Sequence, residues 1–203
     1  MNSRLVDQII RTVLYEGYML YPYRASSTKN RQRWSFGIVY PQAYSVAQAG
    51  AEPASMTTEC LVTGASDAVL HVTVCFLHQD VERSVTLDDL RLGDLLLEPR
   101  TQHLEFGVLQ GTVNVRADQV GDQLFKIGVH ILNTSPWQRA ETAGEADGHR
   151  PHLQHEELMA RSMLSTHTIL GIEAGEFVSL IDPPDKFREA AGRCRNAGTW
   201  PVL

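Results

Sequence analysis

The chain has 203 residues, 43% of them apolar, and a formal net charge of -6. That is enough apolar side chain for a real core, in one large domain or in a domain with an appended subdomain, and the acidic average excludes bulk attraction to nucleic acid or to an anionic membrane. No run approaches the ~18 apolar residues that mark a membrane span. The first residues, MNSRLVDQIIRTVLYEGY, carry Arg4, Asp7 and Arg11 where a secretory leader would be unbroken and apolar, so a cytoplasmic location is expected.

In that opening segment Leu5, Ile9, Ile10, Val13 and Leu14 recur at helical spacing, with Ser3 as N-cap and Gly17 at the end. The spacing predicts an amphipathic helix over 4–16. Its polar face mixes both charge signs, which suits docking on its own core better than lying on a membrane.

The next segment, YPYRASSTKNRQRWSFGIVYP over 21–41, sets Arg24, Lys29, Arg31 and Arg33 among Tyr21, Tyr23, Trp34, Phe36 and Tyr40, beside Asn30, with no acid between Glu16 and Glu52. All six tyrosines lie between Tyr15 and Tyr44. Such a segment has two readings. Guanidinium forks grip phosphate or carboxylate and aromatic planes stack on bases or cations, which would make it an anion- or partner-binding surface. Alternatively it joins helix to sheet, its rings filling the junction and its arginines pairing acids such as Glu156, Glu157, Asp182 and Asp185. Nucleic acid is disfavoured, because one short cluster is a small electrostatic footprint and no recognition motif accompanies it.

From about 34 to 134 the pattern is strand-like. The runs WSFGIVYP, ECLVT, AVLHVTVCFLH, RSVTL, LEFGVLQGTVNVRA and LFKIGVHILN are separated by Gly, Asp, Ser and Pro. Leu70, Val72, Val74 and Phe76 share one face, Val113 and Val115 another, and Phe125, Ile127, Val129 and Ile131 a third, each alternating with polar residues. Antiparallel strands with one buried face are implied, packed as a β-sandwich or a partly closed barrel. The histidines His71, His78, His103 and His130 fall on these strands as ordinary polar-face or edge residues. Asn133-Thr134-Ser135 reads as a strand end before Pro136. Cys60, Cys75 and Cys194 are odd in number, widely spaced and without a CxxC pair, and are expected as reduced, mostly buried thiols.

Residues 138–151 are polar, rich in Ala, Gly and Glu, and aperiodic, which predicts a linker or mobile loop. After it the class changes. LQHEELMARSMLSTH looks helical, HTILGIEAGEFVSLID looks like a hairpin turning at Ala174-Gly175, and PPDKFREAAGRCRNAG looks like a helix with Phe187, Ala190, Ala191 and Cys194 inward and Gly198 at its end. The expected class is therefore α+β. An N-terminal helix and β-rich domain occupy 1–137, and a small α+β subdomain over 152–203 ends on the apolar run TWPVL.

His152, His155 and Glu156 would share one side of a helical turn and are credible zinc or nickel ligands. Against that, Pro151 breaks the geometry and Glu156 and Glu157 are ordinary for a first helical turn. No nucleophile elbow, phosphate loop, dinucleotide fingerprint or HExxH is present, and Ser165, Thr166, His167 and Asp182 do not by themselves make a hydrolytic site. No catalytic residue is assigned, and no cofactor is expected beyond that zinc or nickel.

Tyr21, Pro22, Tyr23, Arg24, Lys29, Asn30, Arg31, Trp34, Phe36, Gly37, Tyr40 and Pro41, followed by Ser165-Thr166-His167-Thr168, GEFVSLIDPP and GTWPVL, resemble an uncharacterised bacterial family. The resemblance covers most of the chain. It implies genes that accompany uptake nickel-iron hydrogenases of the actinobacterial type, and members that continue past the equivalent of Leu203 with an acidic segment. The resulting expectation is a non-enzymatic accessory or assembly protein whose segment 21–41 docks a protein partner, such as a hydrogenase or its maturation components. A module for a phosphate ligand, nucleotide or nucleic acid is the alternative, and self-association is left open.

Overall fold

A computed structural model describes residues 37–138 and 150–199, with side chains in the first helix after the gap from residue 154 onward. All of these belong to one unit, Gly37–Leu203; the unit before it, Met1–Phe36, lies outside the described residues, and so does the predicted helix over 4–16. The described chain is mostly β. An antiparallel sheet curls into a half-barrel of five strands with one further strand beside it, and the helices are short.

Helix α1 (Gln42–Ala47) precedes the long strand β1 (Ser55–His78), which is followed by β2 (Val81–Arg91), helix α2 (Leu92–Leu97), β3 (Arg100–Phe106), β4 (Leu109–Gly121) and β5 (Leu124–Asn133). Helix α3 (Arg150–Met159), β6 (Leu164–Val178), a 3-10 turn (Asp185–Phe187) and α4 (Arg188–Gly192) complete it. Strands run in the order β2-β1-β5-β4-β3, and β6 pairs with β1 off that path. β1 can serve so many neighbours because it is long. Its first half, Ser55–Thr63, pairs with β5, its second, Val69–His78, with β2, and β6 flanks parts of both.

The expected alternation is the core. Leu70, Val72, Val74 and Phe76 of β1, Val113 and Val115 of β4, and Ile127, Val129 and Ile131 of β5 are buried and pack with Val39, Met56, Leu109 and Met163. Arg83 of β2 stands over the Phe106 ring of β3, 5.5 Å from its centroid, and Phe106 meets Phe76 edge-on at 5.6 Å. The two end strands of the path thus meet through side chains. α2 adds Leu92 and Leu95 to the core. A smaller cluster of Leu61, Leu124, Val178 and Ala191 is covered by Phe187, Ala190 and Cys194, the face predicted for the last helix.

Several local expectations are corrected. ECLVT and AVLHVTVCFLH are one strand, because Gly64 to Ala68 bulge without ending it, and Ser66 in that bulge lies against Gly93 of α2. LEFGVLQGTVNVRA is two strands, since Gly107 takes a positive φ of 61° between Phe106 and Leu109. The hairpin at Ala174-Gly175 is instead continuous β6. Ala174, at φ 56°, marks only the slip in its register with β1. The last predicted helix shortens to a 3-10 turn and one helical turn ending at Gly192, and Gly198 lies in a bend beyond it. The predicted linker falls largely outside the described residues, and α3 starts at Arg150.

Candidate functional site

Tyr21, Tyr23, Arg24, Lys29, Asn30, Arg31, Arg33 and Trp34 lie outside the described residues. What is described is the end of their segment. Val39 N–H donates to Met163 O (2.9 Å), Met163 N–H to Val39 O (3.1 Å), and Thr166 N–H to Gly37 O (2.8 Å). Gly37 is required there: its φ is 69°, and a Cβ would stand 2.7 Å from the carbonyl oxygen of Thr166. Asn133, fully buried at the end of β5, ties the same place together, donating from Nδ2 to Val39 O (2.8 Å) and Arg161 O (2.7 Å) and accepting at Oδ1 from Ser135 N–H (2.9 Å). The Asn-Thr-Ser stretch is therefore a structural knot.

Beyond this anchor Tyr40 tilts against Tyr44, 5.3 Å between centroids, and Tyr44 meets Trp137 edge-on at 5.1 Å. Burial, with Glu52 and Tyr44 adding to it, pushes the Tyr40 hydroxyl up to about 12. Tyr40 is thus a neutral donor or stacking ring at any physiological pH.

The candidate metal ligands sit on α3, where His155 and Glu156 are exposed and the side chain of His152 is outside the described set. Among the described residues no group of three or more His, Cys, Asp or Glu is placed to hold a metal ion. Glu157 pairs with Arg161 and Asp185 with Arg188, so two of the acids considered as partners for the basic segment hold local arginines. Ser165 has a φ of 49°, and its carbonyl bonds the Nδ1 of His167 at 2.9 Å. His78 corrects a prediction. It is buried, with Nε2 donating to Ala160 O at 2.8 Å, and its parity with Phe76 placed it on the core face from the start. Cys60 and Cys75 are buried and Cys194 half-buried, and none of the three is in a disulfide. Burial, helped by Cys194 and Glu59, pushes the Cys60 thiol up to about 12, leaving it unreactive.

One charged cluster was not anticipated. On the outer face of β1, β5 and β4, Glu59 and Arg116 both lie opposite Gly128. Arg116 crosses the bare glycine, its Nη2 donating to Glu59 Oε1 at 2.9 Å, while Lys126 lies 3.5 Å from both Glu59 and Asp118. The carboxylate of Glu59 is only 5% exposed. Its Oε2 accepts Arg195 N–H at 2.8 Å, and its own peptide group is bonded on both sides by the carboxamide of Asn196. Next to them Thr57 and Ala197 exchange backbone bonds of 2.9 and 3.0 Å. Burial opposes the charge on Glu59, but the Arg195 N–H, Arg116 and Lys126 outweigh it and hold the carboxyl below its ordinary range. Beside the cluster is a shallow depression of about 290 Å³, lined by Thr57, Glu59, Asn114, Arg116, Gly128, Val129 and His130. Alternation placed Asn114, Arg116, Lys126 and His130 on polar faces. Which strands lie side by side was the missing information.

No helix among the described residues is long and apolar enough to cross a membrane. The chain matches no protein-family model, no curated protein and no solved structure.

Proposed function

We propose that the chain is a non-enzymatic accessory or assembly protein of the cytoplasm that docks a partner through residues 21–41. The observation that carries this reading is the anchoring of the segment's end, where Gly37 and Val39 are bonded to Thr166 and Met163 and locked by Asn133. The basic, aromatic stretch leads directly into this anchored point, and its arginines are the residue type that grips carboxylate or phosphate. The family resemblance suggests a nickel-iron hydrogenase or its maturation components as that partner. The test is affinity purification from the native host, comparing the wild type with a variant carrying Arg24→Ala, Arg31→Ala and Arg33→Ala. Hydrogenase or maturation components should accompany the wild type and be lost from the variant. Their absence from both, or equal recovery by both, would sink the reading.

Tyr40, at the end of the same segment, supports a second reading, a module for a phosphate-bearing ligand such as a nucleotide, with Arg24, Lys29, Arg31 and Arg33 as the grip. Here nucleotide binding should weaken with salt and with Arg31→Ala or Arg33→Ala. A flat titration at low salt would eliminate it.

A further inference from the structure

We propose that the depression over Gly128 is a binding subsite for a small anion, the carboxylate or phosphate group of a small molecule. It is distinct from segment 21–41 and does not depend on that segment's role.

The charges at the depression do not reach solvent equally. Of the two charged side chains lining the depression, Glu59 is 5% exposed and Arg116 49% exposed. Glu59 is also offset by Lys126 and by the Arg195 N–H. Asp118, 48% exposed, is paired with Lys126 and is not part of the depression's lining, so the charge that the depression itself opens to solvent is that of Arg116.

That cation is also fixed in place. An exposed arginine ordinarily samples many rotamers and loses that freedom on binding. Arg116 instead lies flat across Gly128, so close that a Cβ there would stand 2.9 Å from its Nε, and Nη2 is held by Glu59. Nη2 gives one of its two N–H groups to Glu59, the one side-chain hydrogen bond of Arg116 among the described residues, which leaves its second N–H to act as a fork with the N–H of the adjacent nitrogen. Gly128 serves as floor: with no side chain it lets the guanidinium lie down and keeps the depression open.

The opposite wall supplies further polar groups. His130 of β5 is flanked by Asn114 of β4 and Thr57 of β1, its register partners. The Asn114 carboxamide is oriented because its Nδ2 donates to Thr101 Oγ1 at 2.9 Å, while the Thr57 hydroxyl and the His130 ring make no side-chain hydrogen bond among the described residues. A fork on one side and hydroxyl and imidazole groups on the other are the complement of an oxyanion with a polar substituent.

The experiment is a heteronuclear NMR titration of the full chain at low ionic strength, with inorganic phosphate in one arm and sodium acetate in the other. We expect saturable shifts confined to the amides of Gly128 and Val129, the His130 ring and the Arg116 Nε–H. Saturation by phosphate alone assigns a phosphate ligand, by acetate alone a carboxylate, and by both the shared chemistry. Arg116→Gln should weaken binding by about tenfold, as expected for loss of a charge-assisted bond. Gly128→Ala, which raises the floor under a retained arginine, should do the same. Absence of saturable shifts in the wild type overturns the proposal without recourse to any variant. So do shifts that fall elsewhere on the molecule, or binding unchanged in folded Gly128→Ala.

Discussion

Gly128 shows how much one missing side chain can arrange. Because nothing rises from β5 at that position, Arg116 of β4 reaches across a strand to Glu59 of β1, and a carboxylate can be buried with its charge answered. Breaking such a pair from one side leaves the other charges unanswered, so Glu59→Ala should destabilise the fold by about 3 kcal/mol, measured by urea denaturation at neutral pH. The pH dependence has a definite sign. Since folding lowers the Glu59 pKa, its contribution is fully present above the unfolded value of roughly 4.3. It is lost as pH falls through the still lower folded value. The stability gap between wild type and Glu59→Gln should therefore be constant from neutrality down to about pH 5 and close in stronger acid. A gap that widens in acid would refute this account. None of this was legible in the sequence. Glu59 opened the run ECLVT as an ordinary acid, and its importance arises from residues 116, 126 and 195, which only the register brings to it.

At the level of elements, period-two alternation was readable because one face of each strand is buried, and the inward residues of β1, β4 and β5 were identified from it. What alternation could not reveal is where a strand stops. β1 runs through Gly64 and Ala65 because its bulge is absorbed by α2 on one side and by Ala174 of β6 on the other, and α2 itself, only six residues long, carries too little pattern to be recognised. The turn between β1 and β2 falls where the run AVLHVTVCFLH ends, although its two residues are not the usual ones. His78 faces Val81 across a two-residue loop in which Gln79 and Asp80 both take positive φ, 51° and 60°. This is the geometry of a type I′ turn, which favours Asn-Gly. Replacing Gln79→Asn and Asp80→Gly should relieve that strain and raise stability by about 1 kcal/mol, seen as a higher denaturation midpoint. An unchanged or lower midpoint would show that the two side chains offset the turn's strain elsewhere.

For the molecule as a whole, the half-barrel is completed by side chains where hydrogen bonds stop. Phe106→Ala would remove the ring that links Phe76 and Arg83 and should cost about 2 kcal/mol, with faster amide exchange concentrated in β3. Uniform acceleration across all strands would instead make that ring a general core residue. An antiparallel, β-rich sheet was legible because strands follow one another without long helices. The expected α+β class gives way to a mostly-β one, and β6 joining the sheet beside β1 was not legible, being a pairing of residues far apart in the chain. The same pairing bears on biosynthesis. β1 emerges from the ribosome early, and β2 and β5 can zip to it as they follow. Its flank along Thr57 and Glu59 stays bare until Asn196, whose carboxamide bonds the Glu59 peptide as a neighbouring strand would, has been made. The nascent protein therefore carries an open strand edge, the feature through which chains add to one another, until Asn196 has been made and closes it.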